Sequence, residues 1–335
     1  MGDLLISSLS QSIVLKNMIT VQIGTSIGTA VYPIDTRNDL ELVAKADTAL
    51  YFAKENGRNR MQCYNESLDL KIKSKHDMIS DLEKALENNQ FSIYFQPRLN
   101  IKNKAISGYE ALIRWQHPSK GFISPAKFIP ISEETGLILP IGLYVLRRSI
   151  ELAAEHFPFQ KLSVNVSPKQ FKDPNFIKNV EEILAYSQFD PDNLEFEITE
   201  SALIDDDDRA ILVMKELKKM GITISLDDFG TGYSSLSYLS RFPFDVMKID
   251  QSFIRGKQIS TGNKAIVKAI ILLAKELNLK IVAEGVEHIG PLNFLIGEEC
   301  DEIQGYLLGK PMPTDELLYS LPICLLYTSP SPRDA

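Results

Sequence analysis

Ile222-Thr223-Ile224-Ser225-Leu226-Asp227-Asp228-Phe229-Gly230-Thr231-Gly232 joins an apolar, β-branched run to two adjacent carboxylates and a glycine-rich turn. The run reads as a buried strand, and the glycines leave the following loop sterically free. Two carboxylates at the mouth of such a strand raise each other's pKa, and burial raises both further. A cation between them removes that conflict, and a pair of divalent metal ions is the expectation. From this stretch alone, carboxylates capping a following helix in solvent fit as well. The neighbouring strands decide between the two.

From Gln90 onward the pattern repeats. Apolar strand candidates occur at Phe91–Gln96, Ser107–Ile113, Leu162–Val166, Leu194–Thr199, Thr223–Leu226, Val246–Ile249, Lys280–Ala283 and Glu302–Leu307. Amphipathic helical segments, such as Arg209–Met220 and Lys264–Leu277, separate the later ones. Eight strands alternating with helices predict a (β/α)8, TIM-like barrel. Only Pro97–Ile106 joins the first two strands, too short for a crossover helix, so that pair is expected to be antiparallel. The acid run Asp205–Asp208 before the 209–220 helix reads as capping and dipole complementation.

Each strand ends in a polar group that a core would not choose. In order these are Gln96, Glu110, Asn165, Glu197, Asp227 with Asp228, Lys248, Glu284 and Gln304. Alternation in LSVNVS and LEFEITE puts Asn165 and Glu197 opposite the bulky apolar residues, on the face that points inward in a barrel. Barrel active sites lie at the C-terminal strand ends. Carboxylates and an amide, without His or Cys, suit Mg2+ or Mn2+ and not Zn2+. A carboxylate bridging two such ions fits in-line displacement at phosphorus. Lys248 would orient or activate water or offset charge in the transition state, and Glu284 would serve as base.

Composition narrows the class. Lys and Arg total 36 against 44 Asp and Glu, a net charge of −8, which argues against a DNA or RNA duplex partner. Cys63, Cys300 and Cys324 form no CxxC pair, which fits a reducing, cytoplasmic setting. No apolar run reaches a membrane span, so any membrane attachment belongs to a longer parent protein.

The motifs GYEALIRW, NVS, EITES, DDFGTGYSSL, KID, AEGVE and QGYLLGKP, over about residues 80–320, together resemble an EAL domain, the cyclic di-GMP phosphodiesterase family. The resemblance implies hydrolysis of cyclic di-GMP to linear pGpG with Mg2+ or Mn2+, two ions per site. It implies one metal held by Glu110, Asn165, Glu197 and Asp227, and a second served by Asp227 and Asp228. It places Lys248 and Glu284 at the attacking water, with Gln96, Arg114 and Gln304 beside the substrate or its metals. Glu200 and Glu287 match positions that brace the loop after Asp228, and Asp250 matches a further site acid. The same resemblance makes Gly230–Leu236 a candidate loop coupling the site to a dimer surface, which leaves a homodimer open. A non-catalytic cyclic di-GMP receptor is the alternative; it should lose metal ligands, and none of these positions is substituted.

Residues 1–64 have their own pattern. Ile19–Tyr32 reads as a strand pair or bulged strand, and Asp39–Asn56 as a helix with Leu40, Val43, Ala44, Ala46, Ala49, Leu50 and Ala53 on one stripe. ADTALYFAKENGRNRMQCY resembles the C-terminal end of GGDEF domains, the diguanylate cyclase family, over about residues 14–64. In that family the residues matching Lys54 and Arg58 contact a GTP phosphate; in this fragment they read as a solvated helix end that complements the C-terminal dipole. The Gly-Gly-Asp-Glu-Phe signature is absent, so the expectation is a truncated α+β domain without cyclase activity. Residues 65–88 read as a linker helix, 89–322 as the barrel, and 323–335 as a tail foreign to the fold.

Overall fold

Eight strands close into one ring in the computed structural model, which describes residues 2–15, 19–202, 207–230, 239 and 241–320. They are β1 (Phe91–Asn100), β2 (Ala105–His117), β3 (Lys161–Asn165), β4 (Leu194–Thr199), β5 (Thr223–Phe229), β6 (Val246–Ile249), β7 (Lys280–Ala283) and β8 (Glu302–Gln304). Around the ring the order is β1-β8-β7-β6-β5-β4-β3-β2, and β1 pairs with β2 to close it. All neighbours are parallel except β1, which runs antiparallel to both β2 and β8. Both strands of that pair run longer than expected, and only residues 101–104 turn between them. The antiparallel start of the barrel follows from that short connection.

Helices Ile138–His156, Phe176–Tyr186, Asp207–Lys219, Thr261–Glu276 and Ile289–Gly297 follow the parallel strands. The strand residues that alternate with the polar ones pack against them. Phe196 of β4 lies 5.7 Å, ring to ring, from Phe176, and Leu162, Val164, Leu194 and Ile198 are buried beside it. At the mouth of β2, Trp115 is fully buried against Phe91 and Phe128 and donates its indole N–H to Gln90 Oε1. β8 ends at Gln304, earlier than the expected Leu307, because Gly305 turns the chain against Val286. A Cβ on Gly305 would stand 2.3 Å from the Val286 carbonyl oxygen.

The barrel interior is charged on two levels. Two residues below Gln96, Asn165, Glu197 and Gln304, towards the other end of the barrel, stand Arg98, Ser163, Glu195 and Glu302. Arg98 clamps Glu195 through both Nη atoms, at 2.7 and 3.0 Å, and its Nε lies 2.8 Å from Glu302. Ser163 donates to Glu195, and Lys280 reaches Glu302 at 2.5 Å. Burial pushes the Glu195 carboxyl up, but Arg98 outweighs it and brings the pKa down to about 2. This tied layer forms the floor beneath the functional strand ends.

Contacts group the chain into two units, Met1–Asp81 and Leu82–Ala335, and the helix Glu66–Glu87 runs through the boundary between them. In the first unit, Ile27–Thr29 pairs in parallel with Met61–Cys63, and Thr20–Val21 pairs antiparallel with Ile13–Val14. Ile19–Tyr32, expected as a strand pair or bulged strand, therefore holds two short strands that pair with other segments and not with each other. The helix Asp39–Glu55 is capped by Asn38 and buries Ala49 and Ala53, whereas Leu40 and Val43 are exposed. Gly28 of the sheet lies against Ala46 and Leu50 of that helix. Lys54 and Arg58 lie at and just beyond the C-terminal end of that helix. Among the described residues no helix is long and apolar enough to cross a membrane. The 323–335 tail, Asp205 and Asp206, and the loop after Gly230 lie outside the described residues.

Candidate metal centre and active site

The polar strand ends converge. Glu110 of β2 is opposite Gln96 of β1, and Asn165 of β3 is opposite Glu197 of β4. Asn165 donates to Glu110 Oε1 at 2.6 Å, and Gln304 donates to Glu110 Oε2 at 2.5 Å. Gln304 also bonds Gln96, which in turn donates to the Gly309 carbonyl. Both oxygens of Glu110 are thus held by amides, one from the neighbouring strand β3 and one from β8, on the far side of β1.

Lys248 is fully buried at the centre of the cup. Its Nζ lies 2.7 Å from Glu197, 3.3 Å from Asp227 and 2.5 Å from Glu284. Burial favours a neutral amine, but Asp227, Glu110, Glu197 and Glu284 outweigh it and hold the pKa well above the usual lysine value. One ammonium therefore faces five carboxylates, Asp228 included. Burial, then Glu110, drives the Glu197 carboxyl far up. Glu284 is pushed up to about 8 by burial, then by Asp227 and Glu110, against the opposing pull of Lys248. Glu110 goes the other way: burial raises it, but Lys248, Gln304 and Asn165 together bring it below the ordinary value.

β5 presents the adjacent acids by breaking its own geometry. Its register with β6 shifts between Leu226 and Phe229, and Asp228 takes a left-handed φ of 54°. That conformation is uncommon for a residue other than glycine, although Asp tolerates it better than most. Without the shift, period-two alternation would send the two side chains to opposite faces. Instead, ligand oxygens of Asp227, Asp228 and Glu284 all lie within 4.8 Å of one another. Burial, then Asp227 and Asp250, raises Asp228 to about 6. Asp250 is buried, and its side chain also accepts from Ser252 N as the cap of Gln251–Ile254.

The chemistry of this donor set fits divalent metal ions. Lys248 is the one ammonium among the carboxylates of Glu110, Glu197, Asp227 and Glu284. That excess of buried negative charge is what a hard cation bound by oxygen ligands would offset. Glu284, read from the sequence as a base, also completes an oxygen triad with Asp227 and Asp228. No sequence spacing predicts that triad, because Glu284 reaches it from a strand two places away round the ring.

Arg114 lies four residues beyond Glu110 on β2, donates to the Ile113 carbonyl at 2.9 Å and stands 5.4 Å over the Tyr94 ring. It lines a cleft of about 270 Å3 together with Gln96, Glu110, Asp227, Glu284 and Gln304. A second, mostly apolar pocket of about 440 Å3 adjoins Arg114 and Asn165 and is lined by Leu112, Ile129, Ile141 and Val166. Glu287 pairs with Arg255 at 3.2 Å, and Glu200 opens a single 3-10 turn directly after β4. Both are half-buried; the loop that the family resemblance says they brace lies outside the described residues.

Residues 79–311 match the family model of the EAL domain. The chain belongs to the EAL domain family. Residues 5–60 match the diguanylate cyclase, GGDEF domain. The EAL chain is 40% identical over 306 residues to the bifunctional diguanylate cyclase/cyclic di-GMP phosphodiesterase MucR of Pseudomonas aeruginosa, an alignment covering 90% of this chain and 44% of that protein. It is 36% identical to the cyclic di-GMP phosphodiesterase PdeR of Escherichia coli, covering 88% of this chain and 45% of that one. The chain therefore spans less than half the length of these two curated relatives. A solved structure of the PaMucR phosphodiesterase in complex with c-di-GMP superposes with a TM-score of 0.69 at 40% identity, over 72% of this chain and 99% of that one.

Proposed function

We propose that this chain is a metal-dependent phosphodiesterase that hydrolyses cyclic di-GMP to linear pGpG. The observation that carries the reading is the convergence of Glu110, Asn165, Glu197, Asp227, Asp228, Lys248 and Glu284 at the C-terminal end of one barrel. The likeness to MucR and PdeR supports the substrate. Glu110, Asn165, Glu197 and Asp227 would hold one Mg2+ or Mn2+ ion; Asp227 and Asp228 would hold a second, with Glu284 beside them. When bound, such ions neutralise developing charge and lower the pKa of water.

The chain's own residues do the rest. Gln304 and Asn165 fix both oxygens of Glu110. Lys248, already within 3.3 Å of Glu197, Asp227 and Glu284, supplies a positive charge that needs no reorganisation as negative charge develops on the oxygens around phosphorus. Glu284, 2.5 Å from Lys248 and beside Asp227 and Asp228, would accept the proton of the attacking water. The oxygen of water bonds to phosphorus, the bond to the ribose 3′ oxygen breaks, and that oxygen takes a proton from solvent water and leaves as a hydroxyl. Arg114 holds the substrate at the rim, and the apolar pocket beside it has the volume and lining for a purine.

The test is chromatography of cyclic di-GMP incubated with purified protein. The expected result is pGpG with Mg2+ or Mn2+ and none in chelator. Absence of pGpG with both metals overturns the reading. A Glu110→Ala variant as active as the parent would overturn the metal assignment by itself.

A further inference from the structure

Arg255 closes the short helix Gln251–Ile254 that follows β6, outside every strand-end motif. Its Nε donates to Glu287 Oε1 at 3.2 Å, and Glu287 sits on the segment after β7, three residues beyond Glu284. Among the described residues the guanidinium makes no other hydrogen bond, and its side chain is 57% exposed, which leaves both Nη atoms available to a ligand. Arg255 lines the same cleft as Glu110, Asp227 and Glu284. Among the described residues, Arg114 and Arg255 are the two cationic side chains of that lining. Arg114 belongs to β2 and Arg255 follows β6, and the ring order places those strands four steps apart in either direction. The two guanidinium groups therefore flank the acid cup from opposite sides.

A cyclic dinucleotide carries two phosphodiesters. If one lies over Asp227, the other is displaced towards the rim, above a cleft whose lining also includes Glu110, Glu284 and Glu287. An anion there needs its own cation, because the metals and Lys248 serve the bond being cut. A guanidinium anchored through Nε keeps its two Nη donors as a planar fork, the geometry that binds phosphate in bidentate fashion. We infer that Arg255 binds the phosphodiester that is not cut, and so selects a substrate with two phosphates across the mouth over a diester with one. This rests on the function proposed above.

Arg255→Ala and Arg255→Lys are compared with the parent on cyclic di-GMP and on bis(p-nitrophenyl) phosphate, which has a single phosphate. The alanine variant should raise KM for cyclic di-GMP about tenfold, the effect of one partly exposed charge-assisted contact, with kcat within about threefold. The preference for the dinucleotide over the single-phosphate diester should narrow by a similar factor, and lysine should restore part of it. An unchanged KM for cyclic di-GMP overturns the inference. So does an equal fall on both substrates, which would mean that Arg255 only holds Glu287 in place. A parent protein that cuts the small diester but not cyclic di-GMP overturns the underlying reading, and this inference with it.

Discussion

Chelation should make the stability of the barrel fall as pH rises, and Glu284 contributes a defined share of that fall beside Glu197 and Asp228. Burial, Asp227 and Glu110 bring its carboxyl up to about 8, against 4.5 for an ordinary glutamate. The folded value is the higher one. Its stabilisation is therefore complete below the unfolded pKa and is lost as pH rises through the folded one. One unit is worth about 1.36 kcal/mol, so between about pH 6 and about pH 8.5 the loss is about 2–3 kcal/mol. In a domain of this size that lowers the thermal midpoint by roughly 5–10 °C. A divalent ion takes the place of the proton as counter-charge and removes the slope. The assay is thermal unfolding across this range in chelator and in Mn2+, at matched ionic strength, for the parent and for Glu284→Gln. The parent should slope in chelator and stay level in Mn2+, and the variant should slope less in chelator. Equal slopes for parent and variant in chelator refute the reasoning.

Lys248→Met leaves Glu197, Asp227 and Glu284 without their shared cation and should lower kcat by roughly 10²–10⁴ with little change in KM, read from steady-state hydrolysis. Arg98→Met strands the buried Glu195 and should cost about 3–5 kcal/mol in urea unfolding, because breaking one side of a buried ion pair leaves an uncompensated charge. Gly285 has a φ of 68°, and a Cβ there would stand 2.5 Å from the Cβ of Gln251. Gly285→Ala should therefore destabilise the protein by about 1–3 kcal/mol and displace Glu284, seen as lost melting temperature together with lost turnover.

Much of the barrel was legible because period-two alternation and short connections are local signals. Asn165 and Glu197 could be placed inside from LSVNVS and LEFEITE, and the antiparallel β1–β2 pair from the brevity of its link. The ionic floor carried the same signal: Glu195 and Glu302 precede Glu197 and Gln304 by two residues, and Arg98 follows Gln96 by two in the reversed strand. Nothing local, however, says that Arg98 reaches across the barrel to Glu195. The left-handed Asp228 and the triad it forms with Glu284 depend on a register shift that a sequence does not display. Arg255 was invisible for a related reason. Its place opposite Arg114 comes from ring order, which joins residues far apart in the chain. In the first unit the apolar stripe on Asp39–Glu55 overstated burial, since a helix face is buried only where a partner covers it.

Hydrolysis of cyclic di-GMP in 18O-labelled water with Mn2+, followed by mass spectrometry of the product, addresses the central claim most directly. The arrangement of Lys248 and Glu284 over Asp227 predicts pGpG carrying one 18O atom in its terminal phosphate, and no product in chelator or with Asp227→Asn. Failure to form pGpG with either metal, or pGpG without the label, would contradict it.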